Sequence, residues 1–214
     1  MSRRKVKVNQ PRSKGLSATV VKDSFTGIVR DLSTDGRGVV QAPDGQVVFV
    51  AGVWQGEEVE VKRSRRGKST SAELISLLQP LDARRTPECK YHRDGSCGGC
   101  PWMFVDYPTQ IKQKQARLEK VLERINSNIA GCSVLRARET LNYRNRAQFK
   151  SDGVKLGYVA QGSHKIADVT HCPVLNEVNQ VHLRALRQSL PKSDWRPNKT
   201  VSYTHLTLPT RCLG

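Results

Sequence analysis

The chain has 214 residues, enough for two small domains, and 36 Lys and Arg against 19 Asp and Glu give it a formal net charge of +17. The excess is spread over the whole sequence. A field of this sign favours a polyanionic partner, either nucleic acid or an anionic membrane surface. No apolar run approaches the length that crosses a bilayer, and no apolar stretch of a secretory signal follows the basic N-terminus. A membrane protein and a secreted disulfide framework are therefore excluded as leading interpretations.

The first 80 residues predict a basic arm followed by a small barrel. Residues 1–23 are rich in Ser, Lys and Arg and read as a flexible arm, either a solvated tail or an electrostatic tether for nucleic acid. Five short strands are predicted at 25–29, 38–41, 46–50, 58–62 and 72–78, separated by turn signals that include Asp-Gly pairs at 35–36 and 44–45. Strands of this number and spacing predict an OB-like barrel.

A cationic loop is predicted at residues 63–68, between the last two strands of the barrel. The loop could be a solvated hairpin tip, but in so basic a chain contact with RNA is the favoured interpretation. The residues predicted to make that contact are Arg63, Arg65, Arg66 and Lys68.

A helix is predicted after a loop at 84–101, because Asp106 is a good capping residue and Pro108 suits the first turn. One stripe of this helix is apolar and is expected to face the core. The stripe consists of Ile111, Leu118, Val121, Leu122 and Ile125. A last helix is predicted at about 176–190, with Val178, Val181 and Leu186 inward and Pro191 as its stop.

Residues 142–159 alternate with period two and predict a pair of strands around a turn at 151–153. One face of the first strand would carry Tyr143, Asn145, Ala147 and Phe149. The cations Arg144, Arg146 and Lys150 would share the other face, which suits phosphate contact on a ribbon that packs on its apolar side. The alternative is an ordinary solvated sheet face.

Three cysteines cluster as Cys89, Cys97 and Cys100, and the Cys-Gly-Gly-Cys pair places two thiolates on one tight loop. Zinc and iron–sulfur clusters both require four ligands, and Cys172, which precedes a Pro, is the best candidate for the fourth. His92 and His171 are possible substitutes that would favour zinc, and spacing alone favours zinc because structural zinc sites are commoner. Cys132 and Cys212 are not expected to be ligands.

The stretch Cys-x7-Cys-Gly-Gly-Cys-Pro-Trp at 89–102 resembles the cluster-binding signature of the bacterial uracil-5-methyltransferases that act on 23S ribosomal RNA. The amphipathic helix that follows, Tyr-Arg-Asn-Arg at 143–146, Leu-Gly-Tyr at 156–158 and Cys-Pro at 172–173 extend the likeness. Residues 25–80, with Asp-Gly-Arg-Gly at 35–38, look like the TRAM domain of one branch of that family. The resemblance covers about residues 20–195 and implies that Cys89, Cys97, Cys100 and Cys172 hold a [4Fe–4S] cluster.

The resemblance also implies a mainly β fold with some α. Its parts would be a basic arm at 1–23, an OB-like TRAM barrel at 24–81 and an α+β iron–sulfur and RNA-binding domain at 82–200. Residues 201–214 break from the preceding composition, resemble translated adapter sequence and are expected to be non-native. The family's Rossmann-like catalytic domain is expected to be absent, because no Gly-x-Gly-x-x-Gly and no alternating βαβ pattern occurs.

The chain is thus expected to be the RNA-binding and cluster-binding part of a 23S rRNA uracil-C5 methyltransferase, truncated before its catalytic domain. No catalytic residue and no S-adenosylmethionine site is expected in it, so it should bind RNA without methylating it. Since nothing suggests export, a cytoplasmic monomer without a membrane partner is expected. The alternatives are a free-standing RNA-binding module with a structural zinc site, and a small iron–sulfur electron carrier, against which the charge of +17 speaks.

Overall fold

The computed structural model describes residues 20–67, 69–125, 133–160, 162–190 and the backbone of 204–207. Most of the predicted arm lies outside these residues. The same holds for Lys68, Cys132, Pro191 and Cys212. The helices within the described ranges are too short or too polar to cross a membrane.

The N-terminal part is one curled antiparallel sheet of five strands in the order β3-β2-β1-β4-β5. The strands are β1 (Val20–Leu32), β2 (Gly38–Gln41), β3 (Val47–Val50), β4 (Glu58–Arg66) and β5 (Ser69–Gln79). All five predicted strands are confirmed. The predicted arm is wrong at its end, because residues 20–23 belong to β1, where they pair with residues 63–66 of β4.

Alternation along the strands builds the core of this sheet. Every second side chain of β2 and β3 is buried, and the inward valines of β4 meet them. These core residues are Val29, Val40, Val48, Val50, Val59 and Val61. Residues outside the strands complete the cluster, since Trp54, Phe104 and Val105 are buried with it and Trp102 packs edge-on against Trp54 at 5.1 Å between ring centroids.

A buried ion pair joins the sheet to the segment that follows it. Glu57 is fully buried, and its carboxylate accepts hydrogen bonds from the backbone N–H groups of Trp54 (2.7 Å) and Leu81 (3.0 Å). The guanidinium of Arg84 completes the set, with Nε 2.5 Å from Oε1. Nη2 of Arg84 also donates to Oε2 (2.8 Å), so each carboxylate oxygen accepts two hydrogen bonds, as a buried carboxylate requires.

The second part of the chain has three helices and a small antiparallel sheet within the described residues. The elements are α1 (Lys90–Arg93), α2 (Tyr107–Ile125), β6 (Gln148–Ser151), β7 (Leu156–Gly157), α3 (Glu177–Gln188) and β8 (Thr204–Thr207). The small sheet has the order β7-β6-β8, so four residues of the segment expected to be non-native pair with β6. Its core is formed by Phe149, Leu156, Val169, Leu175 and Leu183.

The start of α2 is confirmed, but its apolar stripe faces the core only in part. Asp106 accepts a hydrogen bond from the backbone N–H of Thr109 (2.8 Å), as a capping residue does. Ile111 is buried, whereas exposure rises along the helix to 73% at Ile125, and Val121 is also exposed. The prediction is therefore wrong at Val121 and Ile125, whereas Leu118 and Leu122 are half-buried.

The inward face of α3 differs from the prediction. Val178 and Val181 are exposed, while Leu183 is fully buried and Leu186 packs against the core as predicted. The buried side of the first turn is polar, because the Gln180 side chain bonds the backbone of the Cys172 loop. Hydrophobic periodicity cannot reveal a helix face that is buried for its hydrogen bonds.

Replacing Glu57 by Ala is expected to lower the free energy of unfolding by about 3–5 kcal/mol, because Arg84 and two backbone N–H groups lose their acceptor. Burial raises the pKa of Glu57, but the hydrogen bonds from Arg84, Leu81 and Trp54 outweigh it and the net pKa is lowered. Ionised Glu57 therefore stabilises the fold above the ordinary carboxyl pKa, and this contribution is lost as the pH falls through the lowered value.

Urea unfolding from neutral to acid pH measures both effects. The stability difference between wild type and Glu57→Gln should shrink as the pH falls, whereas the exposed control Glu73→Gln should match wild type throughout. A pH-independent difference for Glu57→Gln would contradict this account of the ion pair.

Candidate metal centre and nucleic-acid interface

A short loop brings Cys89 and Cys97 to the same side of the chain. The carbonyl of Cys89 accepts hydrogen bonds from the N–H groups that open α1, and Gly95 then reverses the chain at a φ of 69°. The N–H of Cys97 donates to the carbonyl of Tyr91 (3.0 Å), which closes the loop back on the helix. The N–H of Gly98 donates to the carbonyl of Val159 (3.2 Å) and so ties the loop to the segment that follows β7.

Cys172 arrives from the other side on a loop that is held by α3. Its carbonyl accepts from the N–H of Leu175 (3.0 Å) and from the side-chain amide of Gln180. The Tyr91 hydroxyl lies 2.8 Å from the hydroxyl of Thr170, two residues earlier, and joins this loop to α1. The position of the fourth cysteine is therefore fixed by contacts from both segments.

The structure brings together the four cysteines that the sequence predicted to share a site. Cys89, Cys97, Cys100 and Cys172 are free thiols, and all four line one cavity. The other side chains around this cavity, which we call the thiol cavity, are His92, Met103, Arg144, Tyr158, Pro173 and Val174. Of the two predicted histidine substitutes, His92 lies there and His171 is exposed.

The electrostatics of the thiol cavity disfavour free thiolates. Burial raises the pKa of Cys97, of Cys172 and of Cys100, the last to about 11, and the neighbouring thiols add to the effect. Burial also lowers the pKa of His92, which favours its neutral form. A positively charged group is what allows several thiolates to occupy one buried space.

A buried polar atom without a hydrogen-bond partner is a second observation that favours a bound group in the thiol cavity. The hydroxyl of Tyr158 is buried and has no hydrogen-bond partner among the described residues, although its ring is fixed 4.9 Å from that of Phe149. Buried hydroxyls normally find a partner, so an acceptor inside the cavity would satisfy it. Four thiol sulfurs, which are soft metal ligands, and a hydroxyl that lacks a hydrogen-bond acceptor together fit a metal–sulfur group.

The distances between the thiols limit which metal group the thiol cavity can hold. Within the described ranges, no three His, Cys, Asp or Glu side chains lie close enough together to hold a metal ion as they stand. Thiolates on a single zinc ion are about 3.8 Å apart, given a Zn–S bond of about 2.3 Å and tetrahedral geometry. A group held here therefore either spans the cavity or draws the thiols together.

Arg63 does not occupy the place that the sequence predicted for it. Residues 63–66, which the sequence predicted to begin a loop, continue strand β4, and Arg63 lies on its inner face, only 3% exposed. Its guanidinium binds Asp23 through Nε (3.0 Å) and Asp44 through Nη1 (2.9 Å), and it lies 5.5 Å from the ring centroid of Phe25. Two carboxylates already use this cation, so the predicted phosphate contact does not fit its position.

The other cations near β4 that were predicted to contact RNA differ in their exposure. Arg65 is half-buried and pairs with the same two carboxylates, at 3.5 Å from Asp23 and 3.2 Å from Asp44. Arg66 is exposed at the end of the strand, and Lys68 lies outside the described residues.

The predicted cationic ribbon is only partly formed. Residues 142–147 form only an isolated parallel bridge between Arg144 and Leu175, in which the backbone N–H of Arg144 donates to the carbonyl of Val174 (2.8 Å). The Arg144 side chain lines the thiol cavity, with its guanidinium 5.8 Å from the ring centroid of Tyr158, whereas Arg146 is exposed and Lys150 half-buried. The predicted apolar face is confirmed at Ala147 and Phe149 and wrong at Tyr143 and Asn145, which are exposed.

Sequence reasoning missed two residues of the cavity wall. Tyr158 belongs to the Leu-Gly-Tyr motif at 156–158, to which the sequence assigned no role, and Met103 lies three residues after Cys100. Their place at the cavity depends on tertiary packing, so only the Tyr motif offered a signal.

Comparison with known proteins gives a consistent set of relatives, although no family model matches the chain. The chain is 40% identical over 184 residues to an uncharacterized RNA methyltransferase of Nitrosomonas europaea, covering 81% of this chain and 47% of that protein. It is 34% identical over 169 residues to the 23S rRNA (uracil(1939)-C(5))-methyltransferase RlmD of Halomonas elongata, covering 76% of this chain and 35% of the relative.

A third relative is the 23S rRNA (uracil(747)-C(5))-methyltransferase of Pyrococcus furiosus, which is 30% identical over 175 residues. That match covers 80% of this chain and 39% of the relative. The chain thus spans between about a third and a half of the length of the curated relatives it matches.

Proposed function

This chain is homologous to RNA methyltransferases, a group that includes 23S rRNA uracil-C5 methyltransferases, and on that premise we propose that it is the RNA-binding and [4Fe–4S]-binding part of such an enzyme. The observation that carries the proposal is the meeting of four cysteine thiols from two separate segments in one cavity. In the whole enzyme, S-adenosylmethionine is the methyl donor and uracil in 23S rRNA the acceptor.

The domain arrangement is part of the proposal. Residues 24–81 form an OB-like TRAM barrel, supported by the curled five-stranded sheet. Residues 82–200 form an α+β iron–sulfur domain, supported by the separate core around Phe149 and Leu183. The buried Glu57–Arg84 pair lies at the junction and holds the two together.

The ligands of the cluster are Cys89, Cys97, Cys100 and Cys172. When bound, the cluster supplies the positive charge that lets four thiolates share the cavity, and it cross-links the two segments. The chain's own residues do the rest: Gln180 and Leu175 orient the loop of Cys172, and the Tyr158 hydroxyl is placed to donate to an acceptor in the cavity.

RNA phosphates are contacted by exposed cations of both parts. Arg66 and Arg146 are the strongest candidates because they are exposed, whereas Arg65 and Lys150 are half-buried. Lys68 remains a proposed contact from the sequence. Arg144 acts at the thiol cavity, where its charge favours thiolate, so its contribution to RNA binding is indirect.

We expect these 214 residues by themselves to bind RNA without transferring a methyl group. Methylation at C5 of uracil needs a thiolate nucleophile beside a bound cofactor. The four described thiols all line the cavity, where we propose that they bind the cluster. Burial raises the pKa of Cys97, Cys100 and Cys172, which makes these three poor nucleophiles.

A second candidate function is a free-standing RNA-binding module with a structural zinc site. The observation that favours it is His92, a neutral imidazole in the wall of the thiol cavity, because Cys and His together are the usual ligands of structural zinc.

Replacing each cysteine by serine tests the ligand set. Cys172→Ser is expected to abolish most bound iron and acid-labile sulfide, since a distant ligand that closes the site cannot be replaced from its own loop. The matched controls Cys132→Ser and Cys212→Ser should retain wild-type content. Full cluster occupancy in Cys172→Ser would overturn the assignment.

Salt titration of RNA affinity tests the cationic surface. Arg66→Ala and Arg146→Ala should each reduce the slope of log affinity against log salt by about one unit, whatever the RNA sequence, because each removes one phosphate contact. Lys165→Ala, an exposed cation outside the proposed surface, should leave the slope unchanged. Binding that is indifferent to salt or to both arginine replacements would contradict the proposal.

A further inference from the structure

The outer face of the curled sheet carries an aromatic side chain that packing does not explain. Phe49 on β3 is 43% exposed, between the buried residues Val48 and Val50. In the strand register it lies opposite Val39 of β2, and Val47 lies two residues away on the same face. Their outward direction follows from the alternation that buries Val48 and Val50, so the three form a small apolar strip on the surface.

An arginine completes this strip and is held in place. The guanidinium of Arg37 lies 5.2 Å from the ring centroid of Phe49, and its Nε donates to Asp35 at 2.8 Å. The hydroxyl of Ser33 donates to the same carboxylate and accepts from the backbone N–H of Arg37 (3.0 Å). We call the surface of Arg37, Val39, Val47 and Phe49 the β2–β3 patch.

The turn that carries Arg37 is held in place by Trp102. Gly36 has a φ of 86°, and a Cβ there would come within 2.8 Å of the indole nitrogen of Trp102. That indole N–H donates to the carbonyl of Gly36 (3.0 Å). Because the turn cannot easily shift, the Arg37 guanidinium is presented against Phe49 with little conformational entropy left to lose on binding.

The charge of the arginine in the patch is already paired, which limits what the patch can bind. Arg37 forms an ion pair with Asp35 (2.8 Å), and at the other border Arg30 bonds the side chain of Gln41. A guanidinium that already pairs with a carboxylate does not make a strong phosphate site. A planar guanidinium packed with an exposed aromatic ring instead suits a flat, neutral π system.

We propose that the β2–β3 patch binds one unpaired nucleobase of RNA by stacking on Phe49 and the guanidinium of Arg37. This inference rests on the proposed RNA binding and adds to it a site that recognises single-stranded RNA. Bases inside a duplex have both faces covered and cannot stack there. Bases of any type present a π face, so the site prefers unpaired RNA without reading its sequence.

A second copy of this chain is a poorer occupant for two reasons. Two chains of charge +17 repel each other, whereas RNA is drawn to the same field. A stable dimer buries about 800 Å² per partner, and the apolar part of the patch consists of three side chains.

The test compares substitutions at Phe49 for binding to an unstructured RNA of about 12 nucleotides that contains 2-aminopurine. Phe49→Ala should weaken affinity about tenfold and abolish the quenching of 2-aminopurine, with the salt slope unchanged because no charge is lost. Phe49→Tyr, which keeps the ring, should bind like wild type. The matched control is Ile75→Ala, which removes an equally exposed apolar side chain from β5, outside the patch.

Three results would overturn the inference. These are equal affinities of Phe49→Ala and Ile75→Ala, equal losses for the single strand and for a hairpin duplex, and a wild-type dimer in sedimentation that Phe49→Ala dissociates. If Phe49→Ala does not fold, Phe49→Leu, which keeps apolar volume without a ring, replaces it with the same expected loss. Salt-dependent RNA binding that survives at wild-type strength in Phe49→Ala sinks this inference alone, whereas a wild type that binds no RNA sinks the proposed function with it.

Discussion

Four thiols that line one partly buried cavity are the constraint on which the second part of this chain depends. Cys89, Cys97 and Cys100 come from one loop and Cys172 from another, and no strand pairing joins the two directly among the described residues. Without a group between them, burial leaves neutral thiols and the unsatisfied hydroxyl of Tyr158 in the cavity. The metal–sulfur group that we propose would supply ligand partners for the thiols and cross-link the two loops, so that folding of this part and metal binding would become one equilibrium.

The thiol cavity and the outer face of the sheet are connected through a short path. Trp102, two residues after Cys100, packs against Trp54 in the core of the sheet and donates its indole N–H to the turn that presents Arg37. The ion pair of Glu57 with Arg84 also joins the sheet to the segment that follows it. The cysteine loop therefore supports, through Trp102, the surface that we assign to an unpaired base.

Local features of the sequence predicted much of this fold. The five strands followed from period-two alternation and from Asp-Gly turns, and Asp106 marked the start of α2, because each depends on neighbours in sequence. Arg63 was misjudged since its partners Asp23 and Asp44 lie on distant strands. The inward face of α3 was misjudged because Gln180 is buried to bond the loop of Cys172. Nothing local marks the base-stacking role proposed for Phe49, which needs the register of β2 and β3.

Metal analysis of the wild-type chain tests the central claim most directly. Protein purified without oxygen should be brown and should contain about four iron and four acid-labile sulfide per chain, with Cys89, Cys97, Cys100 and Cys172 protected from alkylation until the cluster is removed. One zinc per chain, with neither iron nor sulfide and no visible absorption, would contradict a cluster and leave a zinc-bound RNA-binding module as the function.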